Sequence, residues 1–123
     1  MTAFWSWLGL AAAGGLGAVL RLLVDGAVSQ RLASAMPVGT MAVNVSGALV
    51  LGLLDGFVLP PHAAMVVGTG LVGAYTTFST WMFETQRLAE ERQFARAAGN
   101  IAASVVAGLA AAVLGLWIGG MLR

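Results

Sequence analysis

The chain contains no cysteine, one histidine, one tyrosine and three prolines among its 123 residues, and only 9% of its side chains are charged. Without cysteine there are no disulfides and no thiolate metal sites, which leaves the redox compartment undecided. Six arginines and five acids are too few to clothe an ordinary soluble domain, about 25% of whose residues are charged. A net charge of +1 with no basic cluster excludes a nucleic-acid surface. What the chain does have is an apolar share of 59% and 17 glycines, the composition of a protein that lives in a bilayer. At about 20 apolar residues per crossing, residues 1–123 make a single all-α membrane domain of about four spans. No length remains for a soluble catalytic domain.

Apolar runs place the spans at about 3–28, 38–59, 63–84 and 97–122. The first run has no positive charge ahead of it, as a secretory signal would need, and reads as a retained span. Pro37 opens the second run, and Asp55, Pro60 and Pro61 close it. Glu84 to Arg96 is the one charged stretch, an interfacial turn or helix extension in which Arg87 and Glu91 stand at helical i,i+4 spacing. An even number of spans puts both termini on one side with Arg123. Arg31, Arg87, Arg92 and Arg96 fall on the other side, with Arg21 near that interface, and the positive-inside rule then favours termini outside. Trp5, Trp7 and Trp117 lie near span ends, at head-group level. His62 follows two prolines in a turn with no second ligand beside it, and reads as a turn residue.

Small residues recur at i,i+4: Gly9, Ala13 and Gly17; Gly52 and Gly56; Ser104, Gly108 and Ala112; Gly115 and Gly119. Such stripes let helix backbones approach in lipid. Polar side chains inside spans carry more information, because each must find a partner or face a cavity. Asn44 lies about two turns into the second span, and Asn100 and Ser104 share a face of the fourth. The third span holds five hydroxyls between Tyr75 and Thr80, behind Gly68, Gly70 and Gly73. Glycine followed by β-branched and hydroxyl residues makes a poor continuous helix, so a break is expected near Gly73 to Thr77. From these residues alone two readings stay open: an ion site at the break, or a kinked helix whose hydroxyls bond back to their own carbonyls.

Three stretches, Gly14-Gly-Leu-Gly-Ala-Val-Leu-Arg21, Gly39-Thr-Met-Ala-Val-Asn-Val-Ser-Gly47 and Gly70-Leu-Val-Gly-Ala-Tyr-Thr-Thr-Phe-Ser-Thr-Trp-Met-Phe-Glu84, resemble the signatures of the Fluc (CrcB) fluoride channel family. Their order and spacing agree over nearly the whole chain. The resemblance implies a channel of the cell inner membrane that lets fluoride leave passively. It also implies an antiparallel, dual-topology dimer with two pores and a structural sodium ion at its centre. Carried over, the sodium falls to the backbone carbonyls of Gly73 and Thr76. The fluoride pore falls to Asn44, Phe78, Ser79, Thr80 and Ser104, with Asn100 one turn before Ser104 on the same polar track. Arg21 and Glu84 match the arginine closing the first span and the acid after the signature.

Trp81 stands where the family usually has a second phenylalanine, and its indole N–H would either donate to the anion or narrow its path. Gly108 replaces a hydroxyl of the track. The arginine bias is larger than a dual-topology homodimer usually carries, so the second subunit is either another copy or a separate chain of opposite orientation. Rival readings are a four-span proton-coupled multidrug antiporter and a structural subunit. The antiporter needs a carboxylate in the middle of the first span, where this chain offers only small and aliphatic residues before Arg21.

Overall fold

In the computed structural model, which describes residues 2–123, every regular element is a helix. Helix α1 is Thr2–Arg31, α2 Val38–Phe57, α3 Pro61–Ala63, α4 Gly73–Tyr75, α5 Ser79–Glu90 and α6 Phe94–Leu122, and a π-helical segment, Ala64–Val72, joins α3 to α4. Three of these, α1, α2 and α6, are long and apolar enough to cross a membrane, with mean hydropathies of 1.7, 1.5 and 2.3. The core is thin. Val43, Val72, Leu88 and Ala97 are its buried apolar residues, whereas Phe, Leu, Val and Trp side chains line the outside, as expected where lipid is the solvent.

The packing follows the small residues. A Cβ on Gly52 would run into the carbonyl of Ala112, and one on Gly115 into that of Leu49; Gly56 and Gly119 repeat the contact one turn on. Helices α2 and α6 therefore run parallel, backbone against backbone. Gly17 meets the carbonyl of Leu71 and Gly9 the side chain of Val66, so α1 lies parallel to the π-helical segment. Gly39 sits against Asp25 and Ser29, and Ser46 and Val50, further along α2, share a recess with Leu20 and Val24, earlier on α1, so α1 and α2 are an antiparallel pair. Gly108, read as part of a packing stripe, meets nothing within 4 Å.

The third apolar run is interrupted, and its halves differ from expectation in two ways. Gly68 and Gly70 lie in widened π turns, a form frequent at functional sites, and Gly73 is still helical. The opening falls at the far end of the expected stretch and reaches one residue beyond it, at Thr76–Phe78, with Thr76 extended (φ −82°, ψ 161°). Beyond it, α5 ends in a Schellman turn: Gln93 N–H bonds to the Leu88 carbonyl (2.8 Å) and Arg92 N–H to that of Ala89 (3.0 Å), with Arg92 left-handed at φ 60°. Because Glu91 is the capping residue of that turn, it accepts from Gln93 Nε2 (3.1 Å) and makes no ion pair with Arg87 among the described residues. The i,i+4 pair suggested by the sequence does not form.

Replacing Gly115 by Val should force α2 and α6 apart and lower stability by about 1–3 kcal/mol, the usual effect of overpacking. Gly120, whose added Cβ meets nothing within 4 Å, is the control. Thermal unfolding in detergent of Gly115→Val and Gly120→Val should separate them; equal midpoints would deny the close approach.

Candidate functional site

The opening is held by a side chain from another helix. Asn44, on α2, donates from Nδ2 to the Thr77 carbonyl and accepts the Thr77 N–H on Oδ1, both at 2.8 Å. One carboxamide thus satisfies both backbone groups of one residue. Thr77 N–H would otherwise close on the Gly73 carbonyl, four residues back. The next exchange follows from the first: Thr80 N–H bonds to Thr77 Oγ1 (3.2 Å), as to a helix-capping hydroxyl, instead of to the Thr76 carbonyl. Gly73 and Thr76 are thereby left with carbonyls that have lost their usual donors. Of the five hydroxyls from Tyr75 to Thr80, Thr76 alone back-bonds among the described residues, from Oγ1 to the Val72 carbonyl at 3.1 Å.

Gly47 makes the geometry fit, since a Cβ there would strike the Thr76 methyl and crowd Tyr75. Tyr75 hydroxyl meets Ser46 Oγ at 2.8 Å, tying α4 to α2 just before the opening. Two clefts flank Thr77. The first, about 370 Å³, is lined by Asn44, Gly73, Thr76, Thr77, Phe78 and Trp81 among others. Phe78 is 70% exposed there, edge-to-face with Trp81 at 5.7 Å and 82°. The second, about 320 Å³, brings Thr80 and Thr77 together with Arg21, Asp25 and Thr40.

Most of the residues singled out from the sequence therefore gather around one opening. Asn44, Phe78, Trp81, Gly73 and Thr76 share the first cleft, Arg21 and Thr80 the second. Ser79 is exposed, 3.4 Å from Thr77 Oγ1. Glu84 accepts from Thr40 Oγ1 and lines a smaller recess of about 180 Å³ with Asp25 and Arg87. Ser104 stands apart on α6; its hydroxyl is buried and without a partner among the described residues. Trp81 turns its indole N–H to the Asn100 carbonyl (3.4 Å). His62 pairs with Ser6 Oγ (3.2 Å) at the far end of α1, and among the described residues no cluster of His, Cys, Asp or Glu could hold a metal.

Asp25 and Thr40 at these clefts, and Thr85 on the Trp81 carbonyl, are residues that the sequence patterns do not single out. Helical spacing was the available signal. Arg21, Asp25 and Ser29 form one i,i+4 row, with Ser29 Oγ donating to Asp25 at 3.2 Å. Thr40 precedes Asn44 by one turn, and Thr85 follows Trp81 by one.

Asn44→Leu should leave both Thr77 backbone groups unpaired, at about 1–3 kcal/mol each. Unfolding of the purified variant in detergent measures this, and wild-type stability would mean that the clasp is not formed.

The family described as "CrcB-like protein, Camphor Resistance (CrcB)" matches residues 8–116. Among curated relatives, the "Fluoride-specific ion channel FluC 2" of Mycobacterium tuberculosis (strain ATCC 25618 / H37Rv) is 60% identical over 112 residues, covering 91% of this chain and 89% of its own. FluC 2 of Mycolicibacterium paratuberculosis is 56% identical over 115 residues, 94% of each chain. FluC 1 of Leifsonia xyli subsp. xyli is 47% identical over 118 residues, 93% of this chain and 86% of its own. With an all-helical architecture, three helices long and apolar enough to cross a membrane among the described residues, and a third apolar run opened within its glycine- and hydroxyl-rich stretch, this chain is a multi-pass membrane protein and belongs to the CrcB family.

Proposed function

We propose that this protein is a fluoride-selective channel, passive and not an enzyme, that exports fluoride across the cell inner membrane. The observation that carries the reading is the opening at Thr76–Phe78, which sets neutral donors and an aromatic pair around one discontinuity in an otherwise apolar chain. The curated relatives, each named a fluoride-specific ion channel, support it over the antiporter. So does α1, which has no carboxylate between Thr2 and Arg21.

Fluoride is small and strongly hydrated, so a path for it must offer replacement donors. Asn44 keeps one N–H beyond the one given to Thr77, and Ser79 and Thr80 add hydroxyls. A phenyl ring carries its positive potential at the edge, so Phe78 attracts an anion without the fixed charge that would trap it, and weak binding permits release. Arg21 raises local anion concentration at the mouth, with Asp25 and Glu84 limiting how tightly that mouth holds it. Ser104 continues the polar row on α6.

Lipid-exposed irregular backbone is not tolerated at membrane depth. The opening, with Phe78 70% and Phe83 66% exposed beside it, therefore calls for a cover. We assign that cover to a second copy in opposite orientation, α3, the π-helical segment, α4 and α5 together forming the fourth crossing of each subunit. The two carbonyls released by Asn44 and Thr77, those of Gly73 and Thr76, suit a hard monovalent cation such as sodium. Bound there, it would supply a fixed positive charge and link the subunits.

Liposomes loaded with potassium fluoride and carrying the purified protein should release fluoride to an external electrode, and chloride should stay inside. Phe78→Ile and Asn44→Asp should each lower that efflux at least about tenfold, equivalent to about 1.4 kcal/mol in the barrier, the second by placing a carboxylate on the anion's path. A folded protein that passes no fluoride, or one that needs a proton gradient, would refute the channel.

A further inference from the structure

Behind the aromatic pair lies a closed polar circuit between α5 and α6. Thr85 Oγ1 donates to the Trp81 carbonyl one turn back (2.8 Å). A hydroxyl has one proton, so toward Asn100 this oxygen can only accept, and the atom facing it at 2.9 Å must be Asn100 Nδ2. Asn100 is 1% exposed. Its own backbone carbonyl accepts the Trp81 indole N–H (3.4 Å). The circuit fixes the amide's orientation at a cost: Asn100 Oδ1 is left buried without a partner among the described residues. A buried orphan acceptor is destabilising and calls for a reason.

We infer that Asn100 and Thr85 are positioning residues that hold Trp81 with its N–H turned away from the first cleft, so that this Trp presents ring edge to the anion as a phenylalanine would. The inference rests on the channel reading. Asn100 acts through Trp81 and not on the anion: it is 1% exposed and lines neither cleft, its amide gives one N–H to Thr85, and its backbone carbonyl takes the indole. The arrangement also answers how a bulkier, hydrogen-donating residue is accommodated beside Phe78. A free indole N–H in the cleft would be a strong donor, and an anion held too firmly leaves slowly.

The test uses the full-length protein with Trp5, Trp7 and Trp117, all exposed, changed to Phe, so that Trp81 alone emits. Against that background, Thr85→Val and Asn100→Leu both keep the Asn100 backbone carbonyl but break the Thr85–Asn100 side-chain link that holds it opposite the indole. They should let α5 and α6 shift, move Trp81 emission to the red as the indole loses its acceptor, and lower fluoride efflux roughly tenfold, the scale of one lost buried hydrogen bond. Thr85→Ser should restore both. Asn100→Leu also removes the orphan oxygen, so it should fold with stability near that of its parent. Unchanged emission in both Thr85→Val and Asn100→Leu would overturn the brace. So would lost efflux with emission in place, and so would failure of Thr85→Ser to rescue. A parent protein inert to fluoride would bring down the channel reading instead, while the emission still decides the brace.

Discussion

Two hydrogen bonds from one carboxamide carry the rest of this structure. A helix in lipid cannot simply stop, because each backbone group left bare in hydrocarbon is worth several kcal/mol. Asn44 resolves that for Thr77 by pairing both its N–H and its C=O, and the consequences run outward from there. The Thr77 hydroxyl is placed to cap α5 through Thr80 N–H. The carbonyls of Gly73 and Thr76 are released, and Phe78 is carried to the outside beside Trp81.

The clasp works only if α2 sits at one depth and one rotation against the opening, and small residues set both. Gly52, Gly56, Gly115 and Gly119 seat α2 on α6 at backbone contact, Gly17 seats α1 on the segment leading to the opening, and Gly47 leaves room for the Thr76 methyl. Without a hydrophobic drive between helices in lipid, such close contact is what supplies packing energy. The polar links near the cleft, Thr40 with Glu84 and Ser46 with Tyr75, then fix the remaining freedom between α2 and the two halves of the interrupted run.

Much of this was legible beforehand, for identifiable reasons. Long apolar runs bounded by prolines and charges give the helices, because length and transfer energy decide them locally. The hydroxyl-rich run after the glycines indicates both the opening and its neighbourhood, since Thr76 and Thr77 lie within the expected stretch. Within that stretch Gly73 stays helical, since the residue that opens the chain is the one Asn44 can reach, and that depends on how α2 packs. Arg87 and Glu91 do stand one helical turn apart, with Glu91 N–H on the Arg87 carbonyl at 3.0 Å, but Glu91 caps α5 and its carboxylate accepts from Gln93 instead of pairing. Trp81's N–H could not be assigned from spacing, as its acceptor is a backbone carbonyl 19 residues away on α6.

The channel reading proposed above gives a chain with so few charges a way to handle an anion: it assigns the work to neutral donors and ring edges that the opening makes available, and leaves Arg21, Asp25 and Glu84 in the neighbouring recesses. The most direct measurement pairs two readouts in one series, Asn44 and its Gln, Ala and Leu variants: amide exchange at Thr77 and fluoride efflux from liposomes. If the clasp is what keeps the path open, efflux falls in step with the loss of Thr77 protection. A variant whose Thr77 amide exchanges freely while fluoride passes at the wild-type rate would contradict it.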